Sequence, residues 1–237
     1  MKNKLLVILP AYNEEKALPY VIDKVRETIP FGDIVVVDDC SEDDTWKVAV
    51  SKNVEVLHLP VHLGVGGGLR TAFVYAVQNG YDYCVQVDSD GQHDPSYVKA
   101  MLEFAQKENI DILVGSRFAG VGDYKVRGPR WLAMKFLSKL MSSYIGETLT
   151  DTTSGYRLFS AKVIKYFEKT FPCEYLGDTI EALGMAHKNG MKIKQFPVKM
   201  NERLAGVPST SPLKSAFFLF RALFAFAVII ISPRPKG

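Results

Sequence analysis

Two carboxylates one residue apart, Asp88 and Asp90, follow the apolar run Val85-Gln86-Val87 and precede Gly91-Gln92-His93. In an extended strand, residues two apart project to the same side, so a strand ending here would aim both carboxylates at one point. Two close carboxylates with no lysine beside them repel each other unless a cation sits between. Hard cations such as Mg2+ and Mn2+ take oxygen ligands, commonly one or two carboxylates completed by substrate phosphates. Gln92 and His93 are placed to complete that shell or to hold the phosphates. Asp and Gly are also the residues of a plain turn where a strand gives way to a helix, so the pair alone reads either way. Two other segments share its character. Asp38-Asp39 closes the run Ile34 to Val37, and Pro10-Ala11-Tyr12-Asn13-Glu14-Glu15 follows the run Leu5 to Leu9. A tyrosine ring can stack on a base, and a carboxylate can accept from a base N–H. A helix dipole accounts for Glu14 and Glu15 but not for Tyr12 or the paired aspartates.

The elements that must position these residues alternate. Apolar runs at Leu5 to Leu9, Ile34 to Val37, Val54 to Leu59, Tyr83 to Val87 and Ile110 to Val114 predict strands. Between them, helical spacing predicts helices over Glu14 to Thr28, Asp43 to Lys52 and Pro95 to Glu108, and a glycine-rich turn, Gly64 to Gly68, leads into another that runs to Gln78. Such alternation specifies an α/β fold with a Rossmann-like, mostly parallel sheet flanked by helices. Polar residues at the carboxyl ends of its strands line the ligand crevice. After residue 118 the pattern changes. Ala119 to Arg130 reads as a loop and Trp131 to Tyr144 as an amphipathic helix. Asp151 to Ser160 reads as a polar turn and short strand. Ala161 to Glu168 and Thr179 to Lys188 read as helices, Ile193 to Met200 as a strand and Asn201 to Pro212 as a loop.

With 237 residues, 47% hydrophobic and 23% charged, the chain suits one large domain with a sizeable core. A net charge of +3 argues against a strongly cationic nucleic-acid binder. Cys40, Cys84 and Cys173 are too widely spaced for a metal motif and odd in number, which fits reduced thiols in a cytoplasmic protein. No secretory signal is expected, since the first apolar run is short and polar residues follow it. Ala216 to Ile231 is almost wholly apolar around Arg221, but shorter than the roughly 20 residues a span needs. It predicts a C-terminal helix lying in the membrane interface or against a membrane partner, with Arg234 and Lys236 suited to anionic headgroups; an ordinary core helix is the alternative. The expected division is a domain over 1–211 and an apolar, membrane-associating tail over 212–237. The Gly64–Gly68 cluster is not a dinucleotide fingerprint, because Leu69 stands at the third glycine position and no acid is correctly placed beyond it. It reads instead as a loop letting backbone approach a ligand. The four histidines lack metal-ligand spacing, and no Gly-x-Ser-x-Gly elbow occurs.

In order and spacing, five segments resemble glycosyltransferase family 2, which has a GT-A fold. They are Pro10 to Glu15, Val36 to Thr45, Asp88 to His93, Gly115-Ser116-Arg117-Phe118 and Thr153-Ser154-Gly155-Tyr156-Arg157. The last three are similar to the dolichyl- or polyprenyl-phosphate sugar synthase branch. The resemblance covers roughly residues 4 to 205. It departs where the family's Asp-Gly-Ser becomes Asp39-Cys40-Ser41, and where Gly177-Asp178-Thr179-Ile180-Glu181 replaces a lysine found in some lipid-phosphate synthases.

The resemblance implies that Pro10, Tyr12, Glu14 and Asp39 hold the nucleoside of a UDP- or GDP-sugar, and that Asp88, Asp90 and Gln92 hold Mg2+ or Mn2+ and the diphosphate. It implies that Arg117, Arg130 and Arg203 meet the diphosphate or an acceptor phosphate, which suits the bidentate guanidinium. The expected activity is an inverting, metal-dependent transfer to a membrane polyprenyl phosphate by a protein peripheral to the inner face of the membrane. If the acceptor is a hydroxyl of a lipid-linked or cell-surface glycan, a carboxylate must take the proton. Asp178 is the candidate, with Asp151 next. The reading of another class is a non-catalytic nucleotide-binding subunit that recruits partners to the membrane. No nucleic-acid partner is expected.

Overall fold

The apolar runs at Leu5 to Leu9 and Val35 to Val37 become strands that bury both faces, whereas Glu55 to His58 is only partly covered. The computed structural model describes residues 3–119, 129–173 and 177–204, together with 224, 226–228, 230 and 231. Its strands are β1 (Leu5–Ala11), β2 (Gly32–Asp38), β3 (Glu55–His58), β4 (Tyr83–Gln86), β5 (Ile112–Ser116), β6 (Arg157–Ser160) and β7 (Ile193–Pro197). They form one sheet in the order β3-β2-β1-β4-β6-β5-β7. β1 pairs in parallel with β2 and β4, and β6 runs antiparallel to both its neighbours.

Alternation along β1 sorts the core. Leu6 and Ile8 face helices α3 (Gly64–Gln78), α6 (Ala161–Thr170) and α7 (Ala182–Lys188), while Leu5, Val7 and Leu9 face α1 (Leu18–Thr28) and α4 (Val98–Glu108). The remaining helices are α2 (Thr45–Ser51) and α5 (Pro129–Ile145). The strand order reverses between β1 and β4, so the crevice beyond their carboxyl ends is where a sheet of this kind receives a ligand. Tyr12 and Asp88 follow those two ends.

Three expectations are corrected. The predicted glycine-rich loop is helix: α3 begins at Gly64. Its start is capped from another strand, since Asp39 accepts the Leu63 N–H at 2.7 Å and the Gly64 N–H at 2.8 Å. Its glycines are needed for close packing. A Cβ on Gly66 would lie 2.5 Å from the Pro172 carbonyl oxygen, and one on Gly67 2.4 Å from the Leu63 Cβ. The helix predicted from Glu14 begins at Leu18; Glu14 to Ala17 is a turn whose Glu14 carbonyl accepts the Leu18 N–H at 2.9 Å. β4 stops at Gln86, so Asp88 and Asp90 stand on the turn that follows it, not on the strand.

Cys40, which departs from the family's Asp-Gly-Ser, takes the left-handed backbone that glycine serves, with φ +61°. That conformation costs an L-residue about 1–2 kcal/mol. Within the predicted apolar tail, Phe226 is buried and its ring meets Tyr144 of α5 edge-on at 5.4 Å. Phe224, Val228, Ile230 and Ile231 are exposed. No helix among the described residues is long and apolar enough to cross a membrane. The expected division at 211/212 falls outside the described residues.

Candidate active site

The turn after β4 is built by its own polar side chains. Ser89 Oγ donates to the Pro10 carbonyl at 2.7 Å, which ties the turn to the end of β1. Gly91 supplies φ +82°. The Asp88 N–H donates to His93 Nδ1 at 2.9 Å, which leaves the proton of a neutral ring on Nε2, 3.4 Å from Asp88 Oδ2. His93 lies stacked on the buried Tyr156 ring, centroids 4.7 Å apart. Gln86 Nε2 donates to Asp88 Oδ1 at 3.0 Å. His93 and Gln86 thus aim Asp88, whose carboxylate stays 38% exposed, while Asp90 is buried.

Gly155 leaves room for that arrangement. A Cβ there would come within 2.9 Å of Gln86 Nε2 and 3.5 Å of Asp88 Oδ1. Gly155→Ala is therefore expected to displace Gln86 and weaken nucleoside diphosphate binding in Mn2+ by roughly tenfold, the size of a lost orienting contact at a metal site. Calorimetric titration checks this, and unchanged affinity would show that Gln86 does not orient Asp88.

The segment after β7 folds over the turn. Met200 bridges to His93, the Asn201 N–H donates to the Gln92 carbonyl at 2.9 Å, and the Leu204 N–H donates to the Asp90 carbonyl at 3.0 Å. This brings Arg203 onto the acids. Its Nη2 lies 2.8 Å from Asp90 Oδ2 and 3.5 Å from Gln92 Oε1, and its Nη1 lies 3.8 Å from Glu14 Oε1. The Gln92 N–H donates to Asp90 Oδ1 at 2.9 Å. The structure therefore gathers Glu14, Asp88, Asp90, Gln92 and Arg203 at one place.

Burial raises the Asp90 carboxyl above its ordinary range, and the Asp88 charge adds to the effect. Glu14 is pushed up to about 7, first by burial and then by Asp90. Its Oε2 is buried without a hydrogen-bond partner. Between its ordinary 4.5 and about 7, the folded state keeps a proton that the unfolded chain has released, so stability falls as pH rises through that window. Free of nucleotide and divalent cation, the protein is expected to lose thermal stability as pH rises from 4.5 to about 7, and Glu14→Gln to flatten that fall. Parallel Tm profiles for the two proteins would show that Glu14 ionises normally.

Just past the end of β1, Tyr12 is exposed and its ring lies 4.3 Å from that of His62. The neighbouring Asp39 carboxylate caps α3 and also meets His62 Nδ1 at 2.9 Å. Pro10 contributes its carbonyl to Ser89. On the far side, Arg117 Nε and Nη2 bind the two oxygens of the fully buried Asp151 carboxylate at 2.6 and 2.7 Å. The side chains of Arg130, in α5, and Asp178, in the π-helical turn Gly177–Glu181, lie outside the described residues.

Comparison with known proteins decides the family. The model of glycosyl transferase family 2 matches residues 6–167. The chain belongs to that family. Among family 2 relatives, it is 32% identical over 216 residues to an undecaprenyl-phosphate mannosyltransferase of Micrococcus luteus, covering 87% of this chain and 83% of the relative. It is 30% identical to a polyprenol monophosphomannose synthase of Mycolicibacterium smegmatis, covering 91% and 84%. A glucosyl-3-phosphoglycerate synthase of Mycobacterium tuberculosis shares the GT-A fold, with TM-score 0.73 at 20% identity over 99% of this chain and 82% of that one. The same synthase has been solved with Mn2+ and UDP, at TM-score 0.67 and 19% identity, over 99% and 81%.

The family 2 site suits a divalent cation that shares its shell with a substrate. Among the described residues no three His, Cys, Asp or Glu side chains form a cage. A pair of carboxylates completed by phosphate oxygens is how Mg2+ is commonly held. The buried Glu14 Oε2, which has no hydrogen-bond partner, is an acceptor left for a ligand to answer. Sequence reasoning missed Gln86 and His62. A polar residue inside Val85-Gln86-Val87, two before Asp88, was the available signal for Gln86. The spacing of His62 speaks only to metal ligation, and nothing local announces its tilted ring contact with Tyr12.

Proposed function

We propose that this chain transfers a sugar, with inversion, from a nucleotide sugar to a polyprenyl phosphate at the membrane. The observation that carries it is the convergence of Asp88, Asp90, Glu14 and Arg203 on one crevice of a family 2 chain. The acceptor class is supported by the two relatives above, one named for undecaprenyl phosphate and the other for polyprenol monophosphomannose.

Tyr12 and Pro10 bind the nucleoside beside Asp39, and the free Glu14 oxygen accepts a donor hydroxyl. Asp88, Asp90 and the neutral amide oxygen of Gln92 hold Mg2+ or Mn2+ against the diphosphate. The bound cation supplies Lewis-acid stabilisation of the departing diphosphate. Arg203 adds fixed positive charge where negative charge develops. Arg117 and Arg130 orient the acceptor phosphate. One of its oxygens attacks the anomeric carbon as the bond to the diphosphate breaks, and the diphosphate leaves with the electron pair. A phosphate acceptor is already anionic, so no general base is required. The exposed Phe224, Val228, Ile230 and Ile231 form the membrane-facing part of the 212–237 tail and keep the protein peripheral at the inner face.

The test is a partition assay. Protein, Mn2+ or Mg2+, a labelled UDP- or GDP-sugar and a polyprenyl phosphate are incubated and extracted with organic solvent. Label in the organic phase, lost in Asp88→Ala protein, is the expected result. No organic label, with donor binding intact, would overturn the phosphate acceptor in favour of a hydroxyl acceptor with Asp178 as base, or of a non-catalytic subunit.

A further inference from the structure

Asp90 already has a cation beside it. The Arg203 guanidinium lies 2.8 Å from Asp90 Oδ2, and Asp90 Oδ1 accepts the Gln92 N–H, so both carboxylate oxygens are engaged. The backbone on either side of Arg203 is pinned to the acid turn by Asn201 and Leu204. Leu204 also packs over Gly91, where a Cβ would come within 2.5 Å of the Leu204 Cδ1. Arg203 is thus delivered to Asp90 by main-chain contacts that need no ligand. Its side chain is 26% exposed and can rotate away without disturbing them.

We propose that Arg203 is a built-in counter-ion that occupies the divalent-cation position of the free protein and gives it up when a nucleoside diphosphate arrives. This rests on the reading of the site under Proposed function. A guanidinium and a divalent cation on the same carboxylate oxygen repel each other, so each weakens the other's hold there. A diphosphate changes the balance in two ways. It offers the guanidinium a bidentate partner in exchange for Asp90. It also brings the oxygens that complete the cation's shell. Cation and diphosphate then favour each other's binding by the same factor, as linkage requires. Removing Arg203 has opposite effects on the two ligands. The cation alone binds more tightly, because its competitor is gone. The diphosphate binds less tightly, because a partner is gone.

The experiment measures Mn2+ affinity by electron paramagnetic resonance of the free ion, with and without UDP, for the wild-type chain and Arg203→Met. Wild-type protein is expected to bind Mn2+ roughly 10- to 100-fold more tightly with UDP, within the usual range for coupled sites. Arg203→Met is expected to bind Mn2+ alone about 5- to 20-fold more tightly than wild type and to show a smaller coupling to UDP, what remains being the share of the diphosphate oxygens in the cation's shell. A gain that persists at about 0.5 M KCl marks direct occupancy, because the field of a distant charge is screened within a few ångströms at such salt. A gain that disappears in salt, or Mn2+ affinity unchanged in Arg203→Met, would overturn the proposal. Wild-type protein that binds Mn2+ equally well with and without UDP would overturn it independently of any variant. Wild-type protein that binds no Mn2+ even with UDP would sink the reading of the site and this inference together.

Discussion

Asp90→Ala protein will bind a nucleoside diphosphate equally well with and without Mn2+, while its fold stays intact. Asp90 is 5% exposed and stands between the Gln92 N–H and Arg203. It is one of only two carboxylates on the turn after β4, so its loss halves the charge offered to a cation. The remaining Asp88 is held by Gln86 and His93 and cannot move to compensate. Turnover is expected to fall by roughly 100- to 1,000-fold, the size seen when one fixed electrostatic stabiliser is removed. Stability should change little. The backbone carbonyl that accepts the Leu204 N–H remains, and the freed Arg203 still has Glu14 near it and solvent beside it. Calorimetry with UDP in the presence and absence of Mn2+, beside a Tm, decides the matter. Donor affinity still enhanced by Mn2+ would defeat the assignment of the metal to this turn.

Arg203 shows how far such a site can be read from sequence. The acids themselves are legible, because Asp88-Ser89-Asp90-Gly91 is local and follows an apolar run. That Asp90 meets Arg203 is not legible, since the contact depends on how the segment after β7 folds back across the turn. The glycines of α3 teach the same lesson from the other direction. Gly64-Val65-Gly66-Gly67-Gly68 has poor helix propensity, so a loop is the natural local reading. The helix forms there because Asp39, at the end of β2, supplies the cap. It stays there because the segment at Pro172 packs where a Cβ would stand. Both causes lie far away in sequence. The strands were legible because burial on both faces writes itself as continuous apolar runs. That the carboxyl ends of the strands line the crevice followed from their alternation with helices, whereas the strand order did not. The antiparallel insertion of β6 between β4 and β5 had no local sign either.

Asp151→Ala is expected to be the most destabilising single change at the site, by about 3–5 kcal/mol, because it strands one member of a largely buried ion pair. Asp151 has no exposed side-chain surface, and it takes the Arg117 Nε, Nη2 and backbone N–H together. For a chain of this length, that loss lowers Tm by roughly 10 °C. The pairing also bears on mechanism. A carboxylate held on both oxygens by one guanidinium is placed to orient that guanidinium, not to take a proton from an acceptor. The double variant Arg117→Met with Asp151→Leu separates the two roles. Replacing a buried pair by apolar side chains of similar volume is often neutral or stabilising. The double variant is therefore expected to recover most of the lost Tm. It should still transfer no sugar to polyprenyl phosphate, because the guanidinium proposed to hold the acceptor is gone. Donor binding in Mn2+ should survive, since Asp88, Asp90 and Glu14 are untouched. Full transfer by a stable double variant would remove Arg117 from the acceptor site and leave the pair as a support for the Asp151–Ser154 turn alone. Recovery of stability with loss of transfer would place the acceptor phosphate beside Arg117, at the end of β5 and apart from the turn that carries Asp88 and Asp90.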